Sequence, residues 1–234
     1  MALEVVTHFI NTHLTSHISQ INIILYICMV VGMITSSISG VLRSIEARMD
    51  ITGAILLAFV NANAGGTVRD LILGTKVFWI EDQFYIWIAL IVGMCTFILI
   101  RYNTQIIDNQ KLHKALVITD AMGLTAFCLA GVQKTMLVYG ASNLYVLPIM
   151  MGMWTAVGGG IAADVIANRI PLVFSDSELY ITVAFVGAVL FLFLTVGLDM
   201  NIAIASIFAT VVMVTLRLYS VKYKITLPII HHRK

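Results

Sequence analysis

The chain has 234 residues, of which 60% are hydrophobic and 11% charged, with a mean hydropathy of +0.97. A soluble globule of 25.7 kDa needs a polar shell that this composition does not supply, which excludes a cytosolic enzyme, a secreted domain and a nucleic-acid binder. The formal net charge of +2 is too small to argue for a polyanionic partner, so bilayer-embedded helices remain.

Residues 1–17 carry Glu4, His8, His13 and His17 and lack the basic start and small-residue cleavage site of a signal peptide. They read as an extracytoplasmic segment. His13 and His17 have i, i+4 spacing without a supporting acidic or thiol ligand, so no metal site is expected. Uncharged stretches near the roughly 20 residues needed to cross a hydrocarbon core then recur. They are Ile18–Leu42, Ile51–Val68 and Gln83–Ile100, then Ala115–Gln133, interrupted by Asp120. A fifth helix starts near Asn143, after the Gly140-Ala141-Ser142-Asn143 turn within Thr135–Ala163. Leu179–Leu198 and Met200–Leu216 complete seven. The runs are continuous rather than alternating, which argues for helices and against a barrel. Trp79, Tyr85 and Trp87 read as interface anchors around the third helix. Cys28, Cys95 and Cys128 read as small packing residues.

Seven crossings put the termini on opposite sides. One side holds Arg43, Arg48, Arg101, Lys111, Lys114, Arg169, Arg217, Lys222, Lys224, Arg233 and Lys234; the other holds Arg69, Lys76 and Lys134. The positive-inside rule therefore predicts an inner-membrane protein with its amino terminus outside and a basic cytoplasmic tail at 221–234. That tail reads as a topology anchor against anionic lipid.

The chain also repeats itself. Gly32, Gly40 and Arg43 match Gly123, Gly131 and Lys134 at a shift of 91, and Gly65-Gly66-x-x-Arg69-Asp70 matches Gly159-Gly160-x-x-Ala163-Asp164 at a shift of 94. This predicts an all-α membrane protein built from two three-helix units, 18–100 and 115–198, with a linker at 101–114 and an added seventh helix at 199–220. An odd number of spans per unit turns the second copy upside down, and ion and solute paths in such folds tend to lie on the pseudo-two-fold axis.

The glycines late in the second and fifth helices are the candidate joints: Gly65 and Gly66, then Gly158, Gly159 and Gly160. Each helical glycine costs about 1 kcal/mol relative to alanine, so the cluster is expected to loosen or kink its helix. The other reading is that the glycines allow close packing and the neighbouring charges mark the membrane edge. Charges in a membrane helix should face inward and find partners. Arg69 and Asp70 point about 100° apart and are not expected to pair with each other. Arg69 is expected to meet Asp164 or glycine carbonyls, and Asp70 to meet amides or Lys134. Hydroxyls at Thr35, Ser36, Ser37 and Ser39, with Thr119 and Thr125, either replace water around a monovalent cation or bond their own helix. No HExxH or GxSxG element is present, which argues against an intramembrane enzyme.

Gly65-Gly66-Thr67-Val68-Arg69-Asp70-Leu71-Ile72-Leu73-Gly74, with Asp120-Ala121-Met122-Gly123-Leu124-Thr125-Ala126-Phe127 and Gly158-Gly159-Gly160 before Asn168-Arg169-Ile170-Pro171-Leu172-Val173-Phe174, resembles the prokaryotic trimeric intracellular cation (TRIC) channels. The resemblance covers about residues 18–216. It implies a homotrimer with a pore in each protomer, lined by the second and fifth helices and bent at their glycines. It implies conduction of potassium, and of sodium, with no cofactor beyond the permeant ion. Membrane lipids and copies of the same chain are the implied partners, and nucleic acid is not. The candidate gating charges are Arg69, Asp70, Asp120, Lys134 and Asp164, with Thr35, Ser36, Ser39 and Thr125 as candidate ion-path hydroxyls. Two positions depart from the family pattern: Ala163 stands where an arginine is common, and Met29 aligns with Asp120. A secondary transporter of a small solute, such as an amino acid, is the alternative, because inverted repeats suit alternating access equally well.

Overall fold

A computed structural model describes the backbone at residues 2–102, 109–140, 145–174 and 179–225, with side chains from residue 22 onward except 109 and 110. The side chains of His8, His13 and His17 and the tail beyond residue 225 lie outside the described residues. The order is α1 (Ala2–Glu46), α2 (Ile51–Ile72), a one-turn α3 (Phe78–Glu81), α4 (Phe84–Tyr102), α5 (Asn109–Tyr139), α6 (Val146–Ile166), α7 (Ile181–Leu192) and α8 (Ile202–Tyr223). Six of these helices are long and apolar enough to cross a membrane, and α7 with its π-helical extension Phe193–Gly197 is a shorter seventh. The chain is an all-helical, multi-pass membrane protein.

Local chemistry sets the helix ends. The Asp50 side chain caps α2 by accepting from the Gly53 amide at 2.8 Å, and Asn201 caps α8 by accepting from Ala203 at 2.9 Å. α2 ends where Gly74 turns left-handed (φ 67°), and α6 ends in the same way at Asn168 (φ 53°). These two residues stand 94 positions apart, the shift of the repeat. After each, the next amide returns to an aspartate carbonyl: Thr75 to Asp70 and Arg169 to Asp164, both at 2.9 Å.

The mirrored halves meet through α1 against α5 and α2 against α6. Their glycine contacts obey the pseudo-symmetry. A methyl group on Gly40 would lie 2.6 Å from the Leu57 carbonyl oxygen, and one on Gly131 would lie 2.6 Å from that of Met151. Across the axis, a methyl group on Gly65 would lie 2.5 Å from the Thr155 carbonyl oxygen, and one on Gly159 would overlap that of Asn61. Only glycine lets the backbones come this close.

The expected loosening is not what the glycines do here. α2 and α6 are continuous helices through Gly65-Gly66 and Gly158-Gly159-Gly160. At Gly65, Gly158 and Gly159 backbone of the facing helix takes the place of the missing side chain, and at Gly66 the Phe78 ring does, which offsets the propensity cost. The added helix packs by one face and leaves Ile204, Ile207, Phe208 and Val211 exposed on the other. α8 packs on α5 and α7, with Met213 filling the space above Gly187 and Gln133 Nε2 donating to Ser206 Oγ at 3.2 Å. Tyr85 is a core residue rather than an interface anchor: its ring meets Phe78 edge-on at 5.1 Å, whereas Trp87 is exposed.

Candidate functional site

Two buried charge clusters flank the α2–α6 crossing, one near each end of the axis, and each is completed by the other repeat. At the end where α6 terminates, Arg43 from α1 sits between two carboxylates. Its Nη1 donates to Asp164 Oδ2 at 2.7 Å and its Nη2 to Asp120 Oδ1 at 2.5 Å. The Leu172 amide donates to Asp164 Oδ2 at 3.1 Å. Tyr180 is buried beside Arg43 and Asp120, and the Arg217 guanidinium from α8 lies over its ring at 4.5 Å. Gly160 faces the Arg43 guanidinium, where an added methyl group would lie in ordinary contact, 3.4 Å from Nη2.

At the end where α2 terminates, Lys134 from α5 donates to Asp70 Oδ1 at 2.9 Å. The Phe78 amide donates to Asp70 Oδ2 at 2.9 Å. Asp70 and Asp164 thus each accept an amide eight residues downstream and a cation from the opposite repeat. Arg43 and Lys134, the two cations, are themselves repeat equivalents. Arg69 Nε also donates to Asp70 Oδ1, at 2.7 Å. Adjacent residues therefore do pair, against expectation, because the long arginine side chain swings its Nε back across the 100° between them. Its Nη1 faces the Met29 sulfur at 3.8 Å. Asp164, the other expected partner, is held by Arg43 in the opposite cluster.

Burial makes these contacts consequential. Arg43, Arg69, Asp70, Asp120 and Asp164 are all buried, and Lys134 is 17% exposed at its side chain. Removing one partner from such a set leaves an uncompensated charge, at a cost of about 3–5 kcal/mol. Each cluster therefore latches α2 or α6 to the opposite unit.

Between the clusters, Asn61 and Thr155 are repeat equivalents on α2 and α6. Asn61 Nδ2 donates to the Ser36 carbonyl at 2.6 Å, and Thr155 Oγ1 to the Met151 carbonyl at 2.6 Å. Of the candidate hydroxyls, Thr35 and Thr125 bond carbonyls of their own helices, at 2.8 Å to Val31 and 2.9 Å to Ala121. Ser39 turns toward the cluster and accepts from Arg43 Nε at 3.4 Å. Ser36 packs where a methyl group on Gly123 would lie 2.5 Å from its Oγ.

The charge asymmetry counts Arg43 and Arg217 among the surface topology charges, yet both are buried in the cluster at the α6 end. The match of Arg43 to Lys134 in the repeat was the available signal. Tyr180 carried none, since a lone tyrosine before an apolar run also reads as an interface anchor.

Comparisons with known proteins align with the two units. A family model described as “Glycine transporter” matches residues 26–101 and 117–196. A UPF0126 membrane protein of Vibrio cholerae is 36% identical over 208 residues, covering 88% of this chain and 82% of the relative. The UPF0126 inner membrane protein YadS of Escherichia coli is 33% identical over 201 residues, covering 85% and 92%. Among solved structures, the TRIC channel orthologue from Rhodobacter sphaeroides superposes with a TM-score of 0.77 at 28% identity, over 86% of this chain and 98% of that one. A second TRIC cation channel structure gives 0.76 at 29% identity, over 89% and 98%.

Proposed function

We propose a conducting role for this chain, which belongs to the “Glycine transporter” family of UPF0126 membrane proteins and to the prokaryotic TRIC channels: each protomer passes small monovalent cations, potassium and also sodium, between α2 and α6. The observation that carries this reading is the α2–α6 crossing itself. Paired glycines bring two helices together on the axis, between two interlocked charge clusters, in a fold shared with solved cation channels.

In the arrangement described here the crossing is in van der Waals contact, so it corresponds to a closed path. Conduction requires α2 and α6 to part near Gly65 and Gly159. Parting exposes Asn61, Thr155 and backbone carbonyls to water, and such oxygens can replace part of a cation's hydration shell. The ion pairs of Arg43 and Lys134 oppose the separation and act as latches. The protein assembles as a homotrimer in the cell membrane, amino terminus outside, which puts the Arg43 cluster toward the cytoplasm. No resident cofactor takes part.

A second reading is favoured by the description of the matched family: secondary transport of a small solute such as an amino acid. A latch at each end of the axis, with contact between them, also suits alternating access.

Proteoliposomes separate the two. A potassium gradient across vesicles holding the channel generates a diffusion potential that a voltage-sensitive dye reads at once. A carrier gives no such potential and instead accumulates radiolabelled glycine with saturable kinetics. Absence of the potential in vesicles of folded protein removes the channel reading.

A further inference from the structure

Two cations share one carboxylate at the α2 end of the axis. Arg69 Nε and Lys134 Nζ both bond Asp70 Oδ1, and the Phe78 amide takes Asp70 Oδ2. Arg69 is fully buried, yet its Nη2 has no hydrogen-bond partner and its Nη1 meets a thioether. Exposed Glu81, on the one-turn α3, is the further carboxylate that acts on Lys134. Inside the protein the count is two positive charges against one negative.

The mirrored cluster explains the imbalance. There Arg43 lies between Asp164 and Asp120, and Asp120 is the repeat equivalent of Met29. The α2 end thus lacks the second carboxylate and carries a second cation, Arg69, where the mirrored cluster has Ala163. A buried guanidinium whose Nη2 is unsatisfied, and which shares its single counter-charge with a lysine, has room in its charge balance for an anion.

We propose that Arg69 and Lys134 bind one small carboxylate anion that displaces the Met29 thioether from Arg69 Nη1, in the place that Asp120 fills in the mirrored cluster. With Nε already engaged, the Nη1 and Nη2 edge of Arg69 presents the parallel donors that a planar carboxylate accepts in bidentate fashion. Lys134 is partly exposed and supplies the approach and the second charge. A single negative charge balances the cluster, which favours a monocarboxylate over a dianion. The site rests on the charge count; only the identity of the natural ligand, the carboxylate of a small amino acid, rests on the transport reading above.

The test is thermal unfolding of the full-length protein in detergent at constant ionic strength, in sodium formate, sodium acetate, glycine or sodium chloride. Formate and acetate raise Tm by a few degrees over chloride in the wild type. Met29→Asp supplies the missing carboxylate internally, so it raises Tm in chloride and abolishes the response to formate. Arg69→Lys keeps the charge but loses the fork, and weakens the formate response several-fold. An equal response to chloride and formate overturns the carboxylate assignment. A formate response that persists in Met29→Asp overturns the location. Should Met29→Asp misfold, Met29→Glu is the second variant, and the response of Arg69→Lys is read independently of both. Formate stabilisation without glycine uptake keeps the site and removes the transport reading. Saturable glycine uptake that Arg69→Lys and Met29→Asp leave unchanged keeps transport and removes the site.

Discussion

Arg43 of the first repeat donates to Asp164 of the second at 2.7 Å, and the same contact recurs in mirror image between Lys134 and Asp70. Each repeat thus closes the other's glycine-bearing helix, and the strength of this exchange can be measured at either end.

Arg43→Met leaves Asp120 and Asp164 buried without their cation. The expected loss is about 3–5 kcal/mol of stability, read as a lowered Tm in detergent. Asp164→Asn should cost less, because Arg43 retains Asp120 and the amide oxygen can still accept from the Leu172 amide. Equal losses for the two variants would show that Arg43 is not the shared centre of its cluster.

Lys134→Asp and Asp70→Lys should each destabilise the α2 end. Combined, they restore the pair's charges in reverse, and the double variant should recover part of the loss, with a coupling of about 0.5–3 kcal/mol. Recovery stays incomplete because a lysine at position 70 cannot accept from the Phe78 amide and sits beside Arg69. Strict additivity in thermal unfolding would contradict the contact.

Gly159→Ala places a methyl group on the Asn61 carbonyl oxygen, and Gly65→Ala places one 2.5 Å from that of Thr155. Backbone cannot yield as a flexible side chain does, so each variant should lose about 1–3 kcal/mol. Gly74→Ala is a useful contrast. No atom lies within reach of its added methyl group, but its φ of 67° is strained for alanine, so it should lower stability without parting α2 from α6. In flux assays Gly65→Ala and Gly159→Ala should leak more than the wild type and Gly74→Ala should not.

Topology is testable separately. Fluorescent protein fused after Lys234 should mature and fluoresce in intact cells if the proposed orientation, with the basic side in the cytoplasm, holds. Alkaline phosphatase at the same position should be inactive. The opposite pattern reverses the assignment of both clusters.

The span pattern and the repeat were legible because lipid tolerates few sequences: uninterrupted apolar runs and mirrored glycines leave little choice of fold. The role of the glycines was not. Propensity treats Gly158-Gly159-Gly160 as a weak point, but the compensation comes from Asn61, nearly a hundred residues earlier, and no local pattern reports it. The role of Arg43 is hidden for a related reason. A charge three residues from a helix end looks like a surface anchor until the carboxylates of α5 and α6 are placed beside it. The pairing of Arg69 with Asp70 depended on side-chain reach, which spacing on a helical wheel does not describe.

Single-channel recording in planar bilayers tests the central claim most directly. Purified protein under a potassium chloride gradient should give discrete unitary currents that reverse near the potassium equilibrium potential, with longer openings in Gly159→Ala. Electrically silent bilayers, formed with folded protein that takes up glycine saturably in vesicles, would contradict it.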